Sequence, residues 1–130
     1  SADAPVIDLS YKLVAYAGQP RVKHATGKTN LPCGKQVYRR YADDGGYLGD
    51  VIALRDETLG DSAERCEPLL RPLVVAGKLD ADEMARADSA RERVAQALTQ
   101  LPPDALALDD GESGYSVTLS PELEQLRSES

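Results

Sequence analysis

The chain contains neither Phe nor Trp, and its six tyrosines are its only aromatic residues. A core must therefore be assembled from aliphatic side chains, and 130 residues set one compact domain as the ceiling. The first residue is Ser1 and the only methionine is Met84, so the chain is expected to be a cleaved product or a fragment of something longer. No apolar run approaches the ~20 residues that span a bilayer, and residues 1–8 lack the zones of a secretory signal. A soluble, cytoplasmic protein with no membrane partner is the expectation. Cys33 and Cys66 are too few and too far apart for a disulfide framework or a zinc site, and are expected to be free, small apolar fillers.

The hydrophobic period changes along the chain. From Leu9 to Tyr16 it is two, with Tyr11, Leu13 and Ala15 on one face and Ser10, Lys12, Val14 and Tyr16 on the other, which predicts a strand. Gly18-Gln19-Pro20 supplies turn chemistry, and Arg21 to His24 resumes an extended pattern, so a hairpin is expected. A polar loop, Ala25 to Gly34, is expected to be exposed and mobile. A second extended pair runs from Lys35 to Tyr41 and from Tyr47 to Leu54 around Asp43-Asp44-Gly45-Gly46. Glu57 to Glu67 reads as a polar linker, and Pro68 to Val75, with two prolines, as an edge strand.

Past Gly77 the period becomes helical. Asp80, Asp82 and Glu83 suit the start of a helix. Ser89 with Glu92 predicts a capping box, and Ala90, Val94, Ala97, Leu98 and Leu101 share one face until Pro102 and Pro103 stop it. Tyr115 to Leu119 predicts a strand, Ser120-Pro121 an N-cap with proline at the first helical position, and Leu123 and Leu126 the anchors of a terminal helix. The fold class is α+β, β-hairpins followed by helices.

No self-contained active site is visible. His24 has no metal-ligand spacing with another His or with the cysteines, and no nucleophile elbow occurs. Gly45-Gly46 lacks the lysine of a phosphate loop and reads as a hairpin turn. The acidic clusters near Asp80 and Asp109 read as solvated faces. The charge distribution is more informative. The net charge is −7, yet between Tyr11 and Ala42 there is no Asp or Glu, while Lys12, Arg21, Lys23, Lys28, Lys35, Arg39 and Arg40 contribute +7. The remaining residues therefore sum to −14. Exposed strands carry lysines that discourage edge pairing, but an acid-free tract in an acidic chain favours a bound anion. Lysine suits phosphate as a point charge and arginine as a fork, and the interleaved tyrosines leave RNA stacking open as an alternative.

The strings Tyr11-Lys12-Leu13-Val14, Gly18-Gln19-Pro20-Arg21-Val22-Lys23, Gly27-Lys28, Leu31-Pro32 and Lys35-Gln36-Val37-Tyr38-Arg39 resemble, in order, the C-terminal region of nicotinate phosphoribosyltransferases. The family pattern there runs roughly YKLV, G-x-PR-x-K-x-S, K-x-T-x-PG-x-K-Q-V-Y-R. Asp50-Val51-Ile52, Glu67-Pro68-Leu69-Leu70, the Ala- and Arg-rich helix ending at Leu101-Pro102, and Tyr115-Ser116-Val117-x-Leu119-Ser120 continue the similarity. Two departures stand out: His24-Ala25 where the family has Ser after PR-x-K, and Pro32-Cys33-Gly34 where it has Pro-Gly.

The resemblance implies that residues 1–130 are the C-terminal α+β portion of a type II phosphoribosyltransferase whose α/β barrel is missing, with the strand at about 9–16 completing the barrel region. It implies an enzyme that joins nicotinate to phosphoribosyl pyrophosphate, with ATP and Mg, giving nicotinate mononucleotide and pyrophosphate in NAD salvage. A homodimer is implied for the full-length protein, and an inactive, cofactor-free state for this piece without its N-terminal barrel. Similarity to related nicotinamide phosphoribosyltransferases makes Ser10 and Lys12 the first candidates for substrate-phosphate binding, followed by Lys23 and Lys28. No residue is nominated as catalytic or metal-binding. The alternative is a standalone binding module for an anionic ligand or RNA.

Overall fold

The computed structural model describes residues 11–25, 28–59, 65–106 and 115–129. Its centre is a four-stranded sheet. The strands, in chain order, are β1 (Lys35–Tyr41), β2 (Tyr47–Leu54), β3 (Arg65–Pro68) and β4 (Ser116–Leu119). Across the sheet the order is β4-β2-β1-β3, with β1 antiparallel to both β2 and β3, and β4 parallel to β2. Val37, Tyr38, Tyr41, Val51 and Ile52 supply the β-branched and aromatic side chains that fit a pleated surface. The β1–β2 turn closes where expected: Gly45 has a φ of 86°, and the Asp44 carboxylate accepts from the Gly46 N–H at 2.9 Å. Gly49 is required by the parallel pairing. Its φ is 152°, and a Cβ there would lie 2.5 Å from the Ser116 carbonyl oxygen.

The C-terminal helix, α3 (Pro121–Glu129), leaves β4 at Ser120, as the Ser-Pro pair predicts. Ser120 is fully buried; its hydroxyl accepts from the Leu123 N–H at 3.3 Å and donates to Glu57 at 2.6 Å. The same Glu57 oxygen accepts from the Leu54 N–H at 3.0 Å, so one carboxylate ties the end of β2 to the helix start. α3 lies against β2, with Leu123 and Ala53 both fully buried.

Two further helices, α1 (Ala81–Asp88) and α2 (Ala90–Leu98), precede it. Asp80 caps α1 by accepting from the Asp82 N–H at 3.0 Å, in keeping with its place in the acidic stretch. The capping box at Ser89 and Glu92 does not form. α1 runs almost directly into α2, and the Ser89 hydroxyl turns back to donate to the Arg86 carbonyl at 3.2 Å. At the far end, Gln100 fastens the helix to the β1–β2 turn. Its carbonyl accepts from the Tyr47 N–H at 2.9 Å, its side-chain oxygen accepts from the Tyr47 hydroxyl at 2.7 Å, and its amide donates to the Gly45 carbonyl at 3.3 Å.

Other expectations need correction. The strand over 9–16 is reduced, among the described residues, to Ala15–Tyr16, paired with Gln19–Pro20; Leu9 and Ser10 lie outside those residues. The turn sits at Ala17-Gly18, both with positive φ, one residue earlier than Gly18-Gln19-Pro20 suggests. Thr26 and Gly27 of the polar loop lie outside the described residues. On either side of them the loop forms a short ribbon of His24–Ala25 with Lys28–Thr29, and Pro32 beyond it is buried. The linker read over Glu57 to Glu67 ends in β3, which pairs with β1, and the edge strand read over Pro68 to Val75 is instead a ribbon of Val74–Val75 with Lys78–Leu79. The helical face of α2 is present but uncovered: none of its side chains is buried, and Val94 is 59% exposed.

The apolar bookkeeping is unusual. Leu70, Leu73, Val74, Val75, Leu79, Val94 and Leu98 are all exposed, and the buried apolar side chains among the described residues are Pro32, Tyr47, Ala53 and Leu123. The sheet is well formed, but much of the apolar surface that should cover it or be covered by it faces solvent.

Candidate functional site

The acid-free basic tract resolves into charges used internally and charges left facing water. Lys35 is internal: its ammonium donates to the carbonyls of Leu31, Pro32 and Cys33 at 2.8, 3.2 and 2.5 Å. Desolvation lowers its pKa, Cys33 opposes that shift, and the positive charge of Lys12 adds to it. Lys12 therefore lies within electrostatic reach of this turn. Arg39 is internal too, forked onto Asp50 at 3.0 and 3.1 Å and stacked 4.3 Å from the Tyr47 ring centroid. Arg40 is half-buried in the sheet. Arg21 is exposed and donates to the Pro20 carbonyl at 2.9 Å.

Lys12 and Lys23 are exposed, and among the described residues neither makes an ion pair. The backbones that carry them are tied together. The Val14 carbonyl accepts from the N–H of Arg21 at 2.9 Å and from that of Cys33 at 2.8 Å. Asn30 adds a side-chain bridge: its carboxamide oxygen accepts from the Lys23 N–H at 2.6 Å and its nitrogen donates to the Leu13 carbonyl at 3.3 Å. Lys28 opens the short strand Lys28–Thr29 immediately before Asn30. Ser10 lies outside the described residues. Of the four phosphate-site candidates, the structure thus ties together the segments bearing Lys12 and Lys23, and places Lys28 two residues from the Asn30 bridge.

Sequence reasoning missed Asn30, whose only signal is an amide side chain among lysines in a loop. It also left Cys33 unexplained, and the backbone supplies a reason for that departure. Cys33 has a φ of 57°, the left-handed region, at the position where the family pattern has glycine. Cys33→Gly is therefore expected to stabilise the chain by about 1 kcal/mol, measured by urea unfolding. An unchanged or lower midpoint would mean that the side chain contributes packing that offsets the strain.

A second cluster lies on the sheet. The Tyr115 hydroxyl donates to Asp50 at 2.8 Å, Tyr41 donates to Glu67 at 2.9 Å, and the Tyr41 and Tyr47 rings meet edge to face at 5.4 Å. Burial, followed by the carboxylate partner, pushes the phenols of Tyr41 and Tyr115 each up to about 12. These groups are satisfied by one another, and they hold the sheet together. An open cavity of about 360 Å³ lies beside the turn, lined by Cys33, Gly34, Leu54, Arg55, Asp56, Glu57 and Glu122. Its mixed charges favour neither cation nor anion. Among the described residues no three His, Cys, Asp or Glu side chains are grouped to hold a metal ion, and no helix is long and apolar enough to cross a membrane. Both cysteines are free.

No family model matches the chain. It is similar to a nicotinate phosphoribosyltransferase of Mycobacterium tuberculosis, 37% identical over 119 residues, covering 91% of this chain and 24% of that protein. It is 31% identical over 142 residues to the Bos taurus nicotinate phosphoribosyltransferase, covering 94% of this chain and 26% of that one. Its fold matches the crystal structure of human nicotinic acid phosphoribosyltransferase with a TM-score of 0.70 at 28% identity, over 92% of this chain and 26% of the human chain. The chain thus spans about a quarter of the length of the relatives it matches.

Proposed function

We propose, from the chain's membership of the nicotinate phosphoribosyltransferase family as a C-terminal segment, that it completes an enzyme converting nicotinate and phosphoribosyl pyrophosphate to nicotinate mononucleotide and pyrophosphate. The observation that carries this reading is the 37% identity over nearly the whole chain to a protein about four times as long. The uncovered apolar surface agrees with it, because a piece of a larger fold exposes faces that the remainder would bury.

In this reading the segment contributes phosphate contacts. Lys12 and Lys23 present positive charge that no acid in their tract neutralises, joined by Lys28 and Ser10. Preorganised charge of this kind stabilises a pyrophosphate group as it leaves and takes up negative charge. The chemistry at the base and at the ribose is assigned to the remaining three-quarters of the enzyme, and so are ATP and Mg. The full-length enzyme is proposed to be a cytoplasmic homodimer.

The test is formation of nicotinate mononucleotide by the chain alone, by the chain with the missing portion supplied in trans, and by the same mixture carrying Lys12→Ala. The chain alone is expected to be inactive and the mixture active, with kcat/KM falling roughly 10- to 100-fold in Lys12→Ala. An inactive wild-type mixture, together with salt-sensitive RNA binding by the chain alone, would replace the enzyme reading with that of a binding module.

A further inference from the structure

Resting on that reading, we propose that Asn30 is a positioning residue for the phosphorylated substrate: its carboxamide clips the Lys12 segment to the Lys23 segment so that both ammonium groups serve one phosphate or pyrophosphate group. Three observations carry this. The Asn30 side chain uses both ends of its amide, accepting from the Lys23 N–H and donating to the Leu13 carbonyl, next in sequence to Lys12. Leu13 and Lys23 are ten residues apart, and without the clip their segments are held by a two-residue ladder and the Val14 carbonyl. The two lysines are exposed and make no ion pair among the described residues, so both charges remain available to an anion.

The loop that delivers Asn30 is itself braced. The Lys35 ammonium gathers the carbonyls of Leu31, Pro32 and Cys33, and the Cys33 N–H returns to Val14. Asn30 therefore reaches the clip from a fixed turn, and its own bonds place the two lysine-bearing backbones relative to each other. A side chain with one donor and one acceptor is needed there. Ala has neither, whereas the hydroxyl of Thr has both.

The experiment is steady-state kinetics of the full-length enzyme containing this chain, varying phosphoribosyl pyrophosphate at saturating nicotinate and then the reverse. Asn30→Ala is expected to raise the KM for phosphoribosyl pyrophosphate roughly tenfold, leaving kcat and the nicotinate KM within about twofold, and Asn30→Thr is expected to restore most of the loss. Equal losses on both substrates, a fall confined to kcat, no change at all, or an Asn30→Thr enzyme as impaired as Asn30→Ala would each overturn the proposal while leaving the enzyme reading standing. A wild-type enzyme that cannot turn over the two substrates would instead sink the reading itself, and the proposal with it.

Discussion

Asp50→Ala is expected to cost about 3 kcal/mol, because it breaks a partly buried ion pair and leaves one charge without its partner. Asp50 is the acceptor of three hydrogen bonds: two from the Arg39 fork and one from the Tyr115 hydroxyl. Its side chain is 14% exposed and that of Arg39 21%, so removing the carboxylate strands a guanidinium in a largely desolvated place. The Arg39 pKa is raised, first through its hydrogen bonds to Asp50. The loss is also topological. Asp50 lies on β2, Arg39 on β1, and Tyr115 just before β4, so one carboxylate joins three adjacent strands. The measurement is urea unfolding of wild type, Asp50→Ala and the double variant Arg39→Met with Asp50→Leu. The double variant removes both charges together and is expected to recover most of the stability, since replacing a buried pair by apolar groups is close to neutral. A double variant as unstable as the single one would show that geometry around Tyr115, not charge, dominates.

The local parts of this fold were legible because they depend on neighbours in sequence. The β1–β2 hairpin follows from β-branched and tyrosine residues flanking Asp43-Asp44-Gly45-Gly46, and the start of α3 from Ser120-Pro121; both appear where the residues place them. The failures have a common cause. Arg65-Cys66-Glu67-Pro68 is polar and carries a proline, so nothing local marks it as a strand; it pairs because β1 offers a free edge. Ser89 looks like a cap, but α1 arrives with no intervening loop, and the hydroxyl finds the Arg86 carbonyl first. Asp50 gave no warning at all, because its partners lie 11 and 65 positions away.

The basic tract shows the same division. Its composition marked an anion-facing segment, but could not tell Lys35, spent on three carbonyls, from Lys12 and Lys23, which face water. Charge is read from sequence; its availability depends on where the chain returns to itself. The departures from the family pattern divide similarly. Cys33 becomes intelligible once its left-handed backbone is seen, whereas the side chain of His24 lies outside what the structure describes.

Leu123→Ala is expected to be nearly as damaging as Asp50→Ala, at about 2–5 kcal/mol, for a reason particular to this chain. Leu123 is fully buried, and the other buried apolar side chains among the described residues are only Pro32, Ala53 and Tyr47. A larger core spreads the loss by relaxing around the cavity, but here α3 would keep little beyond the Ser120 cap to hold it against β2. The measurement is urea unfolding of the chain, with Val75→Ala as the comparison. Val75 is 56% exposed, so its truncation is expected to change stability by less than about 0.5 kcal/mol. With the rest of the enzyme added in trans the ordering should tighten: Leu123→Ala stays costly, and Val75→Ala begins to weaken assembly if its ribbon lies in the interface. Similar costs for Leu123 and Val75 in the isolated chain would mean that the exposed ribbon folds back onto the sheet in solution, and that the chain can supply its own cover.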